Sequence, residues 1–168
     1  GSNFATKVFT YNGNTIIVNA SNTDGSFSTR DSITLDAKRK PLNIRKYFSE
    51  DLSNFANFSF EYNGDDLLKL HQTSETGGAP ETSLATYVNG NMVSLQSTSG
   101  VSTLEYFTDK KLQPGDYLGI SSFIEYGVGV YPHKNLVKTI ANGSSIINFN
   151  YDFNPDGTIS KVTATSGT

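Results

Sequence analysis

Residues Tyr151–Val162, YDFNPDGTISKV, admit two readings, and choosing between them decides the fold. The DFNPDG core matches the opening of a calcium-binding loop, with Asp152, Asn154 and Asp156 as candidate ligands. In a helix-loop-helix site beginning at Asp152 the bidentate twelfth ligand would fall at Thr163, where the coordination shell needs Glu. The residues before the loop also alternate as a strand does: Ile147, Phe149, Tyr151 and Phe153 share one face, and Asn148, Asn150 and Asp152 the other. The stretch therefore reads as a β-hairpin turn, with Asp152, Asn154 and Asp156 kept only as a weak metal candidate.

The same phrase recurs along the chain. An aromatic residue, an Asn/Asp-Gly turn and a β-branched or Leu-rich run appear at Tyr11–Val18, Tyr62–Leu70 and Tyr87–Leu95. Asn-Gly and Asp-Gly between apolar runs signal tight hairpins, because Gly takes positive φ without steric cost. Looser copies, LDAKRKPLNI at Leu35–Ile44 and YFTDKKL at Tyr106–Leu112, lack the Gly. About six hairpins imply roughly ten to twelve strands in an antiparallel meander. One face of such a sheet is apolar, so it is expected to curl into a barrel or half-barrel with one or two short helices as cover.

The cover is expected in the less regular segment 114–145. There Ile120, Phe123 and Ile124 fall at i, i+3 and i+4 before Gly127, and Leu136, Val137 and Ile140 repeat the spacing before Asn142-Gly143. Two short helices are predicted, each turning that stripe toward the sheet.

Composition bounds the function. The chain has 168 residues, 11 Phe, 9 Tyr and no Trp, enough for one domain over residues 3–168 with a substantial core. Gly1-Ser2 reads as a cloning remnant, with any export signal expected upstream of Asn3. No apolar run is long enough to cross a bilayer as a helix. A net charge of −3 offers no basic field for nucleic acid, and the absence of Cys removes thiolate metal sites and thiol nucleophiles. His71 and His133 belong to no zinc-binding pattern, and His133, beside Pro132, is expected to be a surface loop residue. Gly-x-Ser-x-Gly is missing, and the paired carboxylates Asp65-Asp66 and Glu50-Asp51 sit in predicted turns. No catalytic residue, metal or cofactor is therefore expected. Tyr117, Phe123, Tyr126 and Tyr131 cluster in the irregular segment. They either plug the core or, with His133, form a platform for a sugar ring or hydrophobic ligand, and the plug is the preferred reading.

Tyr151, Asp156, Gly157, Ile159 and Val162 spell Y-x-x-x-D-G-x-I-x-x-V, which resembles the tyrosine-aspartate repeat unit of bacterial surface proteins. Together with Tyr126-Gly127-Val128-Gly129 and Lys134-Asn135-Leu136, the hairpin series resembles uncharacterised cell-envelope lipoproteins of Bacteroides-type gut bacteria. The resemblance implies an exported envelope protein, anchored in the outer membrane through a lipidated Cys upstream of Asn3, with a curved antiparallel sheet. It implies a non-enzymatic binding or scaffold module for a glycan, a hydrophobic ligand or an envelope protein, with a polysaccharide-active enzyme or a calcium-stabilised adhesive domain as alternatives.

Overall fold

A computed structural model describes residues 4–74 and 79–167; Gly1-Ser2, read above as a cloning remnant, lies outside them. Twelve strands follow one another in space as in sequence: β1 (Phe4–Asn12), β2 (Thr15–Asn22), β3 (Phe27–Leu35), β4 (Pro41–Tyr47), β5 (Phe55–Asn63), β6 (Asp66–Ser74), β7 (Glu81–Val88), β8 (Asn91–Ser97), β9 (Gly100–Lys111), β10 (Asn135–Asn142), β11 (Ser145–Phe153) and β12 (Ile159–Gly167). Every neighbouring pair is antiparallel, and among the described residues no ladder joins β12 to β1, so the sheet curls without closing. One helix, α1 (Tyr117–Tyr126), lies between β9 and β10 in sequence.

The register explains the curl. Ile16, Ile33, Ile44 and Phe58 stand opposite one another across β2 to β5, and the first three are fully buried. One position along, Thr15, Thr34, Asn43, Ser59, His71 and Thr82 form a polar row across six strands. Glu105, Thr139, Asn148 and Thr165 continue a polar outer face through β9 to β12. Burying the apolar rows bends the sheet around them, at roughly 25 cal/mol for each Å² of apolar surface removed from water. Two buried clusters result, one centred on Ile16, Ile33 and Leu67, the other on Met92, Leu136 and Phe149. Ala85, Tyr87 and Tyr131 pack against both, so Tyr131 of the loop after α1 joins the two halves of the core.

The YDFNPDG stretch is a hairpin turn. Asn154 N–H donates to Thr158 O (2.8 Å), Gly157 N–H donates to Asn154 O (2.9 Å), and Asp156 Oδ1 accepts from the Thr158 N–H and hydroxyl. Hydrogen bonds from Thr158 hold the Asp156 carboxyl below the ordinary carboxylate range. Asn22–Ser26 makes the same set of bonds, a copy hidden in sequence because Asn19, Ala20 and Ser21, with no aromatic among them, precede it. Asp36–Lys40 also closes this way, with Arg39 at φ 67° in the left-handed region that Gly157 occupies at φ 85°. A Cβ built on Gly157 meets no atom, so only backbone strain opposes one there. Gly157→Ala is expected to cost about 1 kcal/mol in chemical denaturation; an unchanged midpoint would contradict this turn geometry.

Three expectations fail. Tyr106–Leu112 is no turn: its residues through Lys111 run on in β9, where Phe107 meets the Tyr151 ring edge-on at 6.1 Å. The second helix is β10, because Leu136 and Val137, consecutive yet both fully buried, are brought to the interior by irregular register on either side of Val137. The stripe on α1 faces outward: Ile120, Phe123 and Ile124 are 42%, 59% and 61% exposed, whereas Ser122 is buried and Leu118, Glu125 and Tyr126 are partly covered. That second stripe faces inward because Glu125 finds Lys7 and Lys46 on the sheet, a pairing the outward residues cannot make. The stop at Gly127 is as expected: φ is 69° and its N–H donates to Phe123 O at 2.8 Å.

Candidate functional site

In an up-and-down meander the connections alternate ends, so residues 112–134 emerge at the same end as the turns at 13–14, 36–40, 64–65, 89–90 and 154–158. This end is tied together. Arg39 Nη1 donates to Gly13 O and Lys40 Nζ to Gly64 O, each at 2.6 Å. Asn91 Oδ1 accepts from the N–H groups of Lys134 and Asn135 (2.8 and 3.0 Å).

Between these turns and the 112–134 segment lies a cleft of about 310 Å³, whose walls include Pro41, Tyr62, Leu112, Tyr131 and His133. Lys40 stands at its side with Nζ 4.7 Å from the centre of the Tyr62 ring. The cleft exists because Asp116 anchors both ends of the segment that covers it. As N-cap of α1 it accepts from Gly119 N–H at 2.9 Å, and its Oδ1 also lies 3.0 Å from His133 Nε2. His133 Nδ1 donates to Tyr131 O at 2.8 Å. The carbonyl only accepts, so Nδ1 carries a proton and a second proton sits between Nε2 and Asp116. Burial pushes the Asp116 carboxyl up, but the hydrogen bonds from His133 and from Gly119 N–H, with the charge of His133, outweigh it and hold the group below its ordinary value.

His133 is thus a buried partner of Asp116, not a surface loop residue, because the chain returning from α1 carries it beneath the helix N-terminus. The other candidates separate. Tyr131 lines the cleft, and with Tyr126 it also lines a smaller cavity of about 160 Å³ beside Leu118 and Ser122. Tyr117 packs on Phe149 of β11, ring centres 4.3 Å apart, and Phe123 projects from the outer side of α1. Three of the four aromatics therefore pack against the core clusters, as a plug does. Among the described residues no group of three His, Cys, Asp or Glu is placed to hold a metal ion, and Asp152, Asn154 and Asp156 are absorbed in the hairpin.

A second polar cluster was not legible in the sequence. Glu125 near the end of α1 pairs with Lys7 of β1 at 2.5 Å and Lys46 of β4 at 2.8 Å. Asp31 of β3, 2% exposed, lies among them with Oδ1 lacking any hydrogen-bond partner. Desolvation, with repulsion from Glu125 and only partial relief from Lys46 and Lys7, pushes its carboxyl up to about 6. The strand alternation around Ile33 places Asp31 on the inner face, and that alternation was the one signal available for it.

The fold and this end define a class: an open twelve-stranded antiparallel half-barrel with a helical segment packed on its inner side. Compared by sequence, the chain matches no family model and no curated protein. Compared by structure, it is similar to a porin-like protein from Bacteroides uniformis ATCC 8492, with a TM-score of 0.70 at 12% identity, covering 95% of this chain and 68% of that one. At that identity the likeness concerns the fold.

Proposed function

We propose that this chain is a non-enzymatic binding module of the bacterial cell envelope that takes a small hydrophobic ligand in the 310 Å³ cleft. One observation carries the reading: four polar side chains of the cleft, Lys40, Tyr62, Asp116 and His133, are engaged by the protein itself. Tyr62 OH donates to Pro41 O, both ring nitrogens of His133 have acceptors, Asp116 is shared between His133 and Gly119, and Lys40 is held by Gly64 O and Asp65. What remains for a ligand is apolar wall and the rings of Tyr62 and Tyr131, at the lower end of the size range of ligand pockets. A glycan would need free donors and acceptors, so a hydrophobic ligand fits better. Hydrolysis by two carboxylates would need a second one facing Asp116, and among the described residues Asp116 is the only carboxylate of the lining.

The envelope assignment is supported by the resemblance of the hairpins to envelope lipoproteins and by the fold shared with the Bacteroides porin-like protein. The polarity of the sheet argues against this chain spanning the membrane as a pore does. A spanning barrel is apolar outside, whereas here the outer rows are polar and the inner rows apolar.

Gly129 borders the cleft, and a Cβ built on it meets no atom. Gly129→Leu is therefore expected to fold normally and fill the site. Thermal shift with decanoate and p-cresol, and with N-acetylglucosamine as control, tests this. An apolar probe at 100 times its dissociation constant adds about 2.7 kcal/mol to the wild type, and the variant loses that gain. No shift with either apolar probe, or equal shifts in both proteins, would sink the reading.

A further inference from the structure

The segment 112–134 is fixed by two side-chain ties, one near each end of α1, and the second of them reaches the sheet. Asp116–His133 is internal to the segment and fixes its base. The tie at the other end, Glu125 on Lys7 and Lys46, is what connects the tip of α1 to the sheet, reinforced by Tyr11 OH donating to Gly127 O at 3.2 Å. Gly115 and Gly127, both at positive φ, flank the helix.

The clasp has a fourth member. Asp31 projects from β3 into the same cluster, is almost wholly buried, and leaves one carboxylate oxygen without a partner. The titratable groups facing it are Lys7 from β1, Lys46 from β4, and Glu125 and Tyr126 from α1. With Asp31 neutral, no charge on β3 competes with Glu125 for Lys7 and Lys46. With Asp31 ionised, a second anion competes for those lysines and repels Glu125 across a poorly hydrated space.

We propose that residues 112–134 form a strap over the inner side of the sheet, that Glu125 on Lys7 and Lys46 is its clasp, and that ionisation of Asp31 loosens the clasp while protonation tightens it. The strap carries Asp116, Gly119 and residues 129–133 of the cleft wall, so its position sets the shape of the cleft. The device stands on the charge cluster alone and does not depend on the identity, or the existence, of a ligand.

The chain has no Cys, so paired nitroxide labels can be placed uniquely. Phe123→Cys on the exposed side of α1 and Thr103→Cys on the outer face of β9 report the strap-to-sheet distance by pulsed electron paramagnetic resonance. The distance distribution is expected to be narrow at pH 5 and at least twofold broader at pH 8. Asp31→Asn keeps it narrow at both, and Glu125→Gln broadens it at both. A wild-type distribution identical at the two pH values, or the same broadening in Asp31→Asn, overturns the proposal. If Asp31→Asn does not fold, hydrogen exchange of residues 117–126 in the unsubstituted protein decides, corrected for intrinsic rates. Opening of α1 must rise between pH 5 and 8 relative to β2 and β3, and a parallel rise in those strands overturns it.

Discussion

Replacing Asp116 with Ala is expected to lower the unfolding free energy by about 3–5 kcal/mol, the range seen when one partner of a buried ionic pair is removed. The side chain does two things at once. It caps α1 through Gly119 N–H, worth about 1 kcal/mol, and it accepts the proton on His133 Nε2, which the substitution leaves buried and without an acceptor. Because the folded carboxyl is held below its ordinary value, its contribution is present above the unfolded carboxylate value near 4 and is lost as pH falls through the lower folded value. The penalty of Asp116→Ala should therefore be largest at neutral pH and shrink in acid. Asp116→Asn keeps an acceptor oxygen and a capping group, and should recover a substantial part of the loss. Urea unfolding at pH 7 and pH 3 measures all of this. An Ala variant within 1 kcal/mol of wild type at neutral pH would mean that the His133–Asp116 pair does not hold the segment.

Asp31 works with the opposite sign. Its folded carboxyl is raised from the ordinary value of 3.8 to about 6, so the folded protein holds this proton more tightly than the unfolded chain does. Its stabilising contribution is complete below about pH 4 and is lost as pH rises through about 6, a change of about 3 kcal/mol for a shift of this size. Asp31→Asn cannot ionise, so the variant should be the more stable protein at pH 8, with the advantage shrinking toward pH 4. The difference between variant and wild type isolates Asp31 from the other carboxylates, including Glu125. Burial pushes the Glu125 carboxyl up, yet the hydrogen bonds from Lys46 and Lys7 and their charges hold it below its ordinary value. Denaturant midpoints at pH 4, 6 and 8 decide the matter: a difference that does not change with pH would show that Asp31 is not held as a costly buried anion.

These two carboxylates also mark where reading the chain stops. Asp31 sits in an ordinary alternating strand, and its neighbours Lys7, Lys46 and Glu125 come from three other elements, up to 118 residues apart in the Lys7–Glu125 pair. Asp116 precedes a helix, so its capping role is a local matter, but its pairing with a histidine 17 residues away depends on how the chain doubles back after α1. The cleft inherits the same limit, since Tyr62 and Lys40 meet Tyr131 and His133 only because the meander curls. Sequence could nominate Tyr131 and His133, and it had no means of separating them from Phe123, which points away.

The part of the fold that neighbouring residues decide was legible along the chain. Turns such as Gly64-Asp65 and Asn154–Thr158 follow from backbone conformations and side-chain bonds that close within about five residues, and alternation marks the inner face of each strand. The strand count, the meander and the curl follow from those two facts, because a sheet with one apolar face has to cover it. Tertiary structure alone decided which stripe of α1 turns inward, that Leu136 and Val137 lie in a bulged strand, and that His133 and Asp31 are buried. The reason is energetic. Glu125 faces the sheet because Lys7 and Lys46 await it there, and pairing a charge that would otherwise lose its water outweighs burying Ile120, Phe123 and Ile124.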